Sequence, residues 1–179
     1  MKVLVLGIGN VMFADEGVGV HFINFIKNNF SFTSSIHSID FIDGGTMANL
    51  LIPIIAEYDF VVIVDCIDAD DSEIGDVYYF DFEAMPKSIS WSGSAHEIEM
   101  LQTLQMMDLT GDRPITKILA VVPKRIKPTS FSLSDEIKKS LPIMQKSLFD
   151  ELSNLGFAIQ QTKNLSIEEI INLWQKEQF

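Results

Sequence analysis

Several residue types that most often announce a function are scarce in this 179-residue chain. A single cysteine, Cys66, excludes an internal disulfide and fits a reducing compartment. There are only three histidines, and no His-Glu-x-x-His helix, so the two-histidine signature of common zinc proteases is absent. Basic residues are few: 13 Lys and Arg stand against 25 Asp and Glu, giving a net charge of −12. Such a chain repels phosphate backbones, and no Lys/Arg stripe offers a nucleic-acid footprint, so no nucleic-acid partner is expected. The one basic concentration, Lys124-Arg125 with Lys127 between Pro123 and Pro128, is a local patch suited to a protein partner. No apolar run reaches the ~18–20 residues that span a bilayer, so no membrane insertion is expected. Residues 1–6 are too short for a signal-peptide core and lead into a Gly-rich turn without a cleavage pattern, which predicts a cytoplasmic address. Internal repeats, low-complexity tracts and linkers are also missing, so residues 1–179 read as one domain with a single core.

What the sequence does contain is an alternation of short apolar runs with amphipathic stretches. Residues 3–6, 36–42, 60–64, 76–81 and 118–122 read as strands, the fourth nearer an edge. Helical spacing is present over 17–27. Thr46 can cap a helix running to about Glu57, with Pro53 kinking or breaking it. Ser94 is placed to cap a helix over 95–107, and 134–155 reads as a long helix containing Pro142. Ser166 and Glu169 have capping-box spacing for a last helix over 166–178. This alternation predicts an α/β fold, a doubly wound and mostly parallel sheet with helices on both faces. Ligands in such sheets sit beyond the carboxyl ends of strands, where strand order reverses. If the order begins 2-1-3, the crevice lies between the first and third strands, and Glu16 and Asp65 meet across it.

Three motifs carry candidate chemistry. The first is Gly7-Ile8-Gly9-Asn10-Val11-Met12-Phe13-Ala14-Asp15-Glu16-Gly17-Val18-Gly19. It begins like a dinucleotide fingerprint, but the third glycine would fall at Met12, and Asp43 lies well beyond the ~20-residue spacing of a ribose-binding acid. Tight turns and helix-dipole complementarity account for part of the pattern. The second is the apolar run ending in Asp65-Cys66, where an ionised acid requires solvent, a partner or a metal. Capping of the next turn is the simpler reading of Asp65, and Cys66 reads as a small core residue. The third is Ser94-Ala95-His96-Glu97, which puts His96 in the first turn of a helix. His21, on the stripe of Val18 and Phe25, reads as a packed histidine, and His37 as a surface or edge residue. Three protein ligands normally hold a catalytic zinc permanently, whereas two carboxylates and an imidazole suit nickel or zinc bound tightly or in passing. Asp68-Ala69-Asp70-Asp71-Ser72-Glu73 lacks the Gly and distal Glu of a calcium loop and reads as a solvated acidic loop. Asp43-Gly44-Gly45-Thr46 forms a sharp turn near the same crevice. There Asp43 either orients a ligand residue or caps its own turn.

Taken in order, the Leu-Gly-Ile-Gly-Asn-x(4)-Asp-Glu-Gly-x-Gly opening, the Asp43-Gly-Gly-Thr turn, the strand ending in Asp65 and the Ser-x-His segment resemble the nickel-iron hydrogenase maturation endopeptidases. The likeness covers about residues 1–122, with Val122-Pro123 also familiar, and weakens through the C-terminal helices. It implies a phosphorylase/hydrolase-like three-layer α/β sandwich and a metal site formed by Glu16, Asp65 and His96. It further implies that the substrate is the large-subunit precursor of a hydrogenase, whose C-terminal extension is removed after nickel insertion. The nickel is then supplied by the precursor, with no permanently bound catalytic metal. Residues 164–179 depart from the familiar pattern by adding a helix. Two alternatives carry different chemistry: a nickel-sensing module that docks without cutting, and an acyl hydrolase acting on a bond such as that of peptidyl-tRNA. The net charge argues against the latter.

Overall fold

Val3 and Val5 point to one side of the first strand and Leu4, Leu6 and Ile8 to the other, and all five are buried. A strand covered on both faces needs no polar alternation, which is why it reads as a continuous apolar run. The computed structural model describes residues 1–85, 89–90, 95–124 and 130–178, leaving aside the side chains of 89–90, 95–98 and 178. In chain order the elements are β1 (Lys2–Ile8), α1 (Val18–Asn29), β2 (Phe30–Thr33), β3 (Ser38–Gly45), α2 (Ile52–Ile55), β4 (Phe60–Cys66), β5 (Asp68–Ala69), β6 (Val77–Asp81), β7 (Ile89–Ser90), α3 (Ala95–Thr110), β8 (Ile115–Val121), α4 (Asp135–Asn154), β9 (Ala158–Gln161) and α5 (Ile167–Gln178).

The central sheet has the order β3-β1-β4-β8-β6, parallel except for β6, which runs antiparallel along the edge beside β8. Side chains such as Val62, Val64, Leu119 and Val121 pack on one face against Phe22 and Ile26 of α1, Met144 and Leu148 of α4, and Ile167 and Ile171 of α5. On the other face Val61, Ile63 and Ile118 meet Leu51, Ile55 of α2, and Met100, Leu104 and Met107 of α3. Each fully buried aliphatic side chain of this kind contributes about 1.5–3 kcal/mol, so the two clusters hold the three layers together. The fold is therefore the expected three-layer α/β arrangement, and its order places β1 between β3 and β4 as the reversal point requires.

Several elements depart from the sequence reading. β3 runs through Asp43-Gly44-Gly45 instead of stopping before it. Thr46 caps nothing: a 3-10 turn over Ala48–Leu51 follows, without a side-chain cap, and only the short α2 succeeds it. Pro53 sits in the first turn of α2, the one place where a helix tolerates a missing N–H. Asp65 lies within β4, not beyond it, because pairing with β8 continues through Asp65↔Ala120 and Cys66↔Val121. Pro142 does not interrupt α4, which runs through it from Asp135 to Asn154 with the proline exposed. Ser94 lies outside the described residues. The ladders β2–β9 and β5–β7 were not expected at all.

Candidate active-site crevice

The Gly-rich opening is explained by close approach. A Cβ on Gly19 would stand 2.2 Å from the carbonyl oxygens of both Ile8 and Val64, so the start of α1 rests directly on the ends of β1 and β4. A Cβ on Gly9 would fall 1.8 Å from the Glu16 carbonyl oxygen, and Gly9 has φ +138°. Between these contacts the chain makes a 3-10 turn over Ala14–Gly17, entered through Ala14 in the left-handed region at φ 52°. That conformation is costly for alanine and persists only because its surroundings hold it.

Those surroundings are specific. The Ala14 N–H donates to the Ser130 carbonyl (2.7 Å), and the Ser130 N–H donates to that of Met12 (3.1 Å). Asp15, 1% exposed, is the main anchor. Its Oδ1 accepts from the Ser134 N–H (2.7 Å), and its Oδ2 from the Ser134 hydroxyl (2.8 Å) and the Lys124 N–H (3.1 Å). Ser134 is also the N-cap of α4, accepting from the Ile137 N–H. The turn is thereby tied both to the loop after β8 and to the head of α4. The sequence reading missed this role. Two adjacent acids on a tight turn face different ways, and nothing local in the sequence marks which one turns inward, because the partner that separates them is Ser134.

Glu16 is left half-buried on the same turn. The turn meets the end of β4 just before Glu16, where the Cys66 thiol donates to the Asp15 carbonyl at 3.1 Å. Glu16 follows Asp15 and Asp65 precedes Cys66, so the two carboxylate-bearing residues flank a shared joint at the carboxyl end of the sheet. Asp65 is 2% exposed, and its Oδ1 accepts from the Cys66 N–H (2.7 Å). Cys66 itself is a buried core residue, as expected.

His96 belongs to the first turn of α3; its side chain lies outside the described residues. The path of the chain brings that turn to the same end of the sheet. β7 pairs with β5, with Ser90 opposite Asp68, so the chain returns within three residues of Asp65 shortly before α3 begins. At the far end, the Ile115 N–H bonds to the Asp59 carbonyl, so β8 starts at the amino end of the sheet. α3 must therefore run from the carboxyl end of the strands to their amino end.

Asp43 stands on the opposite side of β1, since Gly7 pairs with Asp43 on one flank and Val64 on the other. Its Oδ1 accepts from the Gly45 N–H (3.0 Å), a self-capped turn, and its Oδ2 from the Trp174 indole N–H of α5 (3.0 Å). His21 is packed as expected: fully buried under Gly17 and edge-on to Trp174, with ring centroids 6.2 Å apart. Burial pushes its pKa down to about 4, and the nearby Phe131 backbone offsets this only in part. The 68–73 segment is a mostly exposed turn, with the Ser72 hydroxyl donating to the Ala69 carbonyl. Of the basic patch, Lys124 pairs with Glu136 (3.0 Å), while Arg125 and Lys127 lie outside the described residues. Among the described residues no helix is long and apolar enough to cross a membrane, and no three His, Cys, Asp or Glu side chains form a metal cage.

Comparison with known proteins gives this crevice a context. Residues 20–151 match the HycI family model, described as hydrogenase maturation protease. Protein HydD of Wolinella succinogenes is 45% identical over 158 residues, covering 88% of this chain and 99% of that protein. The hydrogenase 2 maturation protease of Escherichia coli K12 is 26% identical over 129 residues, covering 72% of this chain and 77% of that one. The hydrogenase maturating endopeptidase HybD of E. coli shares the fold, with a TM-score of 0.79 at 22% identity over 90% of this chain and 98% of that one. The chain belongs to the hydrogenase maturation protease family.

Proposed function

We propose that this protease removes the C-terminal extension of a hydrogenase large-subunit precursor after nickel has been inserted, and that Glu16, Asp65 and His96 recognise the nickel. The observation that carries this reading is the 3.1 Å contact between Cys66 and Asp15, which joins the turn bearing Glu16 to the strand bearing Asp65. Two carboxylates and an imidazole are hard-to-borderline donors, suited to completing the coordination of a nickel ion that already has ligands of its own. The ion arrives as part of the substrate. Held at the crevice, it fixes the scissile peptide and can polarise its carbonyl or acidify a bound water. Water adds to the carbonyl carbon, one carboxylate takes its proton, and the peptide C–N bond breaks as the leaving amine is protonated. Asp43, across β1, steadies the rim of the crevice through its own turn. An acidic mouth favours a cationic centre and disfavours polyanions.

The test is a processing assay on matched nickel-loaded and nickel-free precursor, followed by mass spectrometry. Shortening of the loaded precursor alone is expected; binding without shortening would indicate a sensor. His96→Ala should abolish processing, and full cleavage by that variant removes His96 from the site.

A further inference from the structure

Beside the crevice, a cleft of about 200 Å³ opens between residues 9–12 and the 43–46 turn, roofed by Phe131 and Trp174. Small-molecule sites usually span about 300–1,000 Å³, so this cleft is sized for a single large side chain. We propose that it is a specificity subsite receiving an apolar side chain of the precursor next to the scissile bond, and that Trp174 is the residue determining that preference. This subsite presupposes the proteolytic reading above.

Three observations converge on it. The cleft is continuous with the crevice: the Gly9 N–H donates to the Gly45 carbonyl (2.9 Å), joining its two walls, and Gly9 lies against the backbone of Glu16. An extended peptide advances about 3.3 Å per residue, so a bond held beside Glu16 delivers a neighbouring side chain to this opening. The lining is mostly apolar, from Val11, Met12, Val20, Phe131 and Trp174; its one carboxylate, Asp43, already accepts from Gly45 and Trp174, and disfavours an acidic occupant. Met12, 49% exposed, supplies adaptable apolar surface in its wall.

The third observation is that Trp174 is held in place. Its indole N–H bonds to Asp43, and its ring stands edge-on to His21 and tilted at 42° against Phe131. α5 is fastened beneath it: Ile167, Ile170 and Ile171 are buried, Lys138 pairs with Glu168 (2.8 Å), and the Asn29 side chain bonds the Leu165 N–H and carbonyl (2.6 and 3.0 Å). A rigid aromatic wall binds a side chain at little entropic cost.

The subsite is tested by steady-state processing of nickel-loaded precursor with Trp174→Ala, Trp174→Phe and Thr46→Trp. Thr46→Trp fills the cleft from the opposite wall without substituting any residue of α5. Trp174→Ala and Thr46→Trp should raise KM about tenfold or more with kcat within about twofold, and Trp174→Phe should fall between. In a series of precursors changed one residue at a time around the cleavage point, one apolar position should matter to the parent protease and become nearly silent with Trp174→Ala. Equal penalties for both proteases at every position, or a fall in kcat with KM unchanged, would overturn the subsite. Should Trp174→Ala not fold, the other two variants distinguish the same outcomes. Glu16→Gln is run alongside: undiminished cleavage by that variant defeats the proposed site and leaves the subsite comparison readable by itself.

Discussion

Replacing Asp15 with alanine removes the acceptor of three hydrogen bonds at a side chain that is 1% exposed. Two of the donors, Ser134 and Lys124, are main-chain N–H groups that cannot turn towards another partner. Each stranded donor costs about 1–3 kcal/mol, and the lost bonds were assisted by the carboxylate charge. Alanine recovers part of this by no longer burying a carboxylate. The Ser134 hydroxyl also recovers something, since it still caps Ile137. The balance is a loss of about 3–4 kcal/mol. At about 2–4 °C per kcal/mol for a chain of this size, the variant should melt roughly 6–16 °C below the parent. Asp15→Asn keeps one acceptor oxygen for Ser134 but presents an amide N–H₂ to the Lys124 N–H, so it should lose about half as much. Far-UV circular dichroism melts measure both. Because Glu16 shares the turn, precursor processing by Asp15→Ala should also fall at temperatures well below its melt. A melt within about 3 °C of the parent, or an Asn variant weaker than the Ala variant, would show that the carboxylate does not hold this turn.

Gly9→Ala should cost about 2–4 kcal/mol, read from urea midpoints, since its methyl collides with the Glu16 carbonyl at a backbone angle that disfavours any side chain; it should also slow processing by displacing Glu16. His21 gives a pH signature, because burial holds its pKa at about 4 against the ordinary 6.5. Above pH 6.5 the ring is neutral folded and unfolded. Between 6.5 and 4 the unfolded chain takes up a proton the folded chain refuses, removing about 3 kcal/mol of stability, with no further loss below that. His21→Leu should flatten urea-derived stability across this window by about that amount; an unchanged slope would contradict the buried neutral ring. Asn29→Ala should release the segment leading into α5, which hydrogen exchange would show as lost protection over 165–177 while β1 and β4 keep theirs.

How much of this was legible in the sequence follows from how local each cause is. β1 and β4 were readable because strands buried on both faces have no other composition open to them. The Ser166–Glu169 box was readable because both of its bonds close within one turn: the Ser166 N–H donates to Glu169 and the Glu169 N–H to Ser166. The short ladders β2–β9 and β5–β7 were not, since pairings only two to four residues long have no distinguishing period. The helix expected from Thr46 to Glu57 failed because β3 takes up the glycines and Pro53 admits only a fresh start. Asp15 and Glu16 could not be told apart, because what separates them is Ser134, more than a hundred residues away. Trp174 and Asp43 likewise meet across 131 residues. The family likeness is carried by residues 1–122, whereas the family model matches 20–151; the two overlap over 20–122, a stretch that includes Asp65 and His96 but not Glu16.

A common logic joins these long-range contacts. Beside two of the residues proposed to meet the nickel, a neighbour carries contacts that tie the backbone in place: Asp15 beside Glu16, and Cys66 beside Asp65. The division is physically useful. A bond that fixes the backbone through a neighbouring residue survives when the adjacent side chain changes partners, so binding does not loosen the element that presents it. Delegating the fixing to the adjacent residue lets the turn at Ala14 stay strained and the crevice stay formed before the substrate docks, so that little reorganisation remains to be done at binding. α5 extends the same device outward: Asn29 and Asp43 fasten it from residues that belong to the sheet and its first helix, and the helix in turn presents Trp174 to the cleft. The helix that departs most from the familiar family pattern thus forms a wall of the cleft proposed to receive a side chain flanking the bond to be cut.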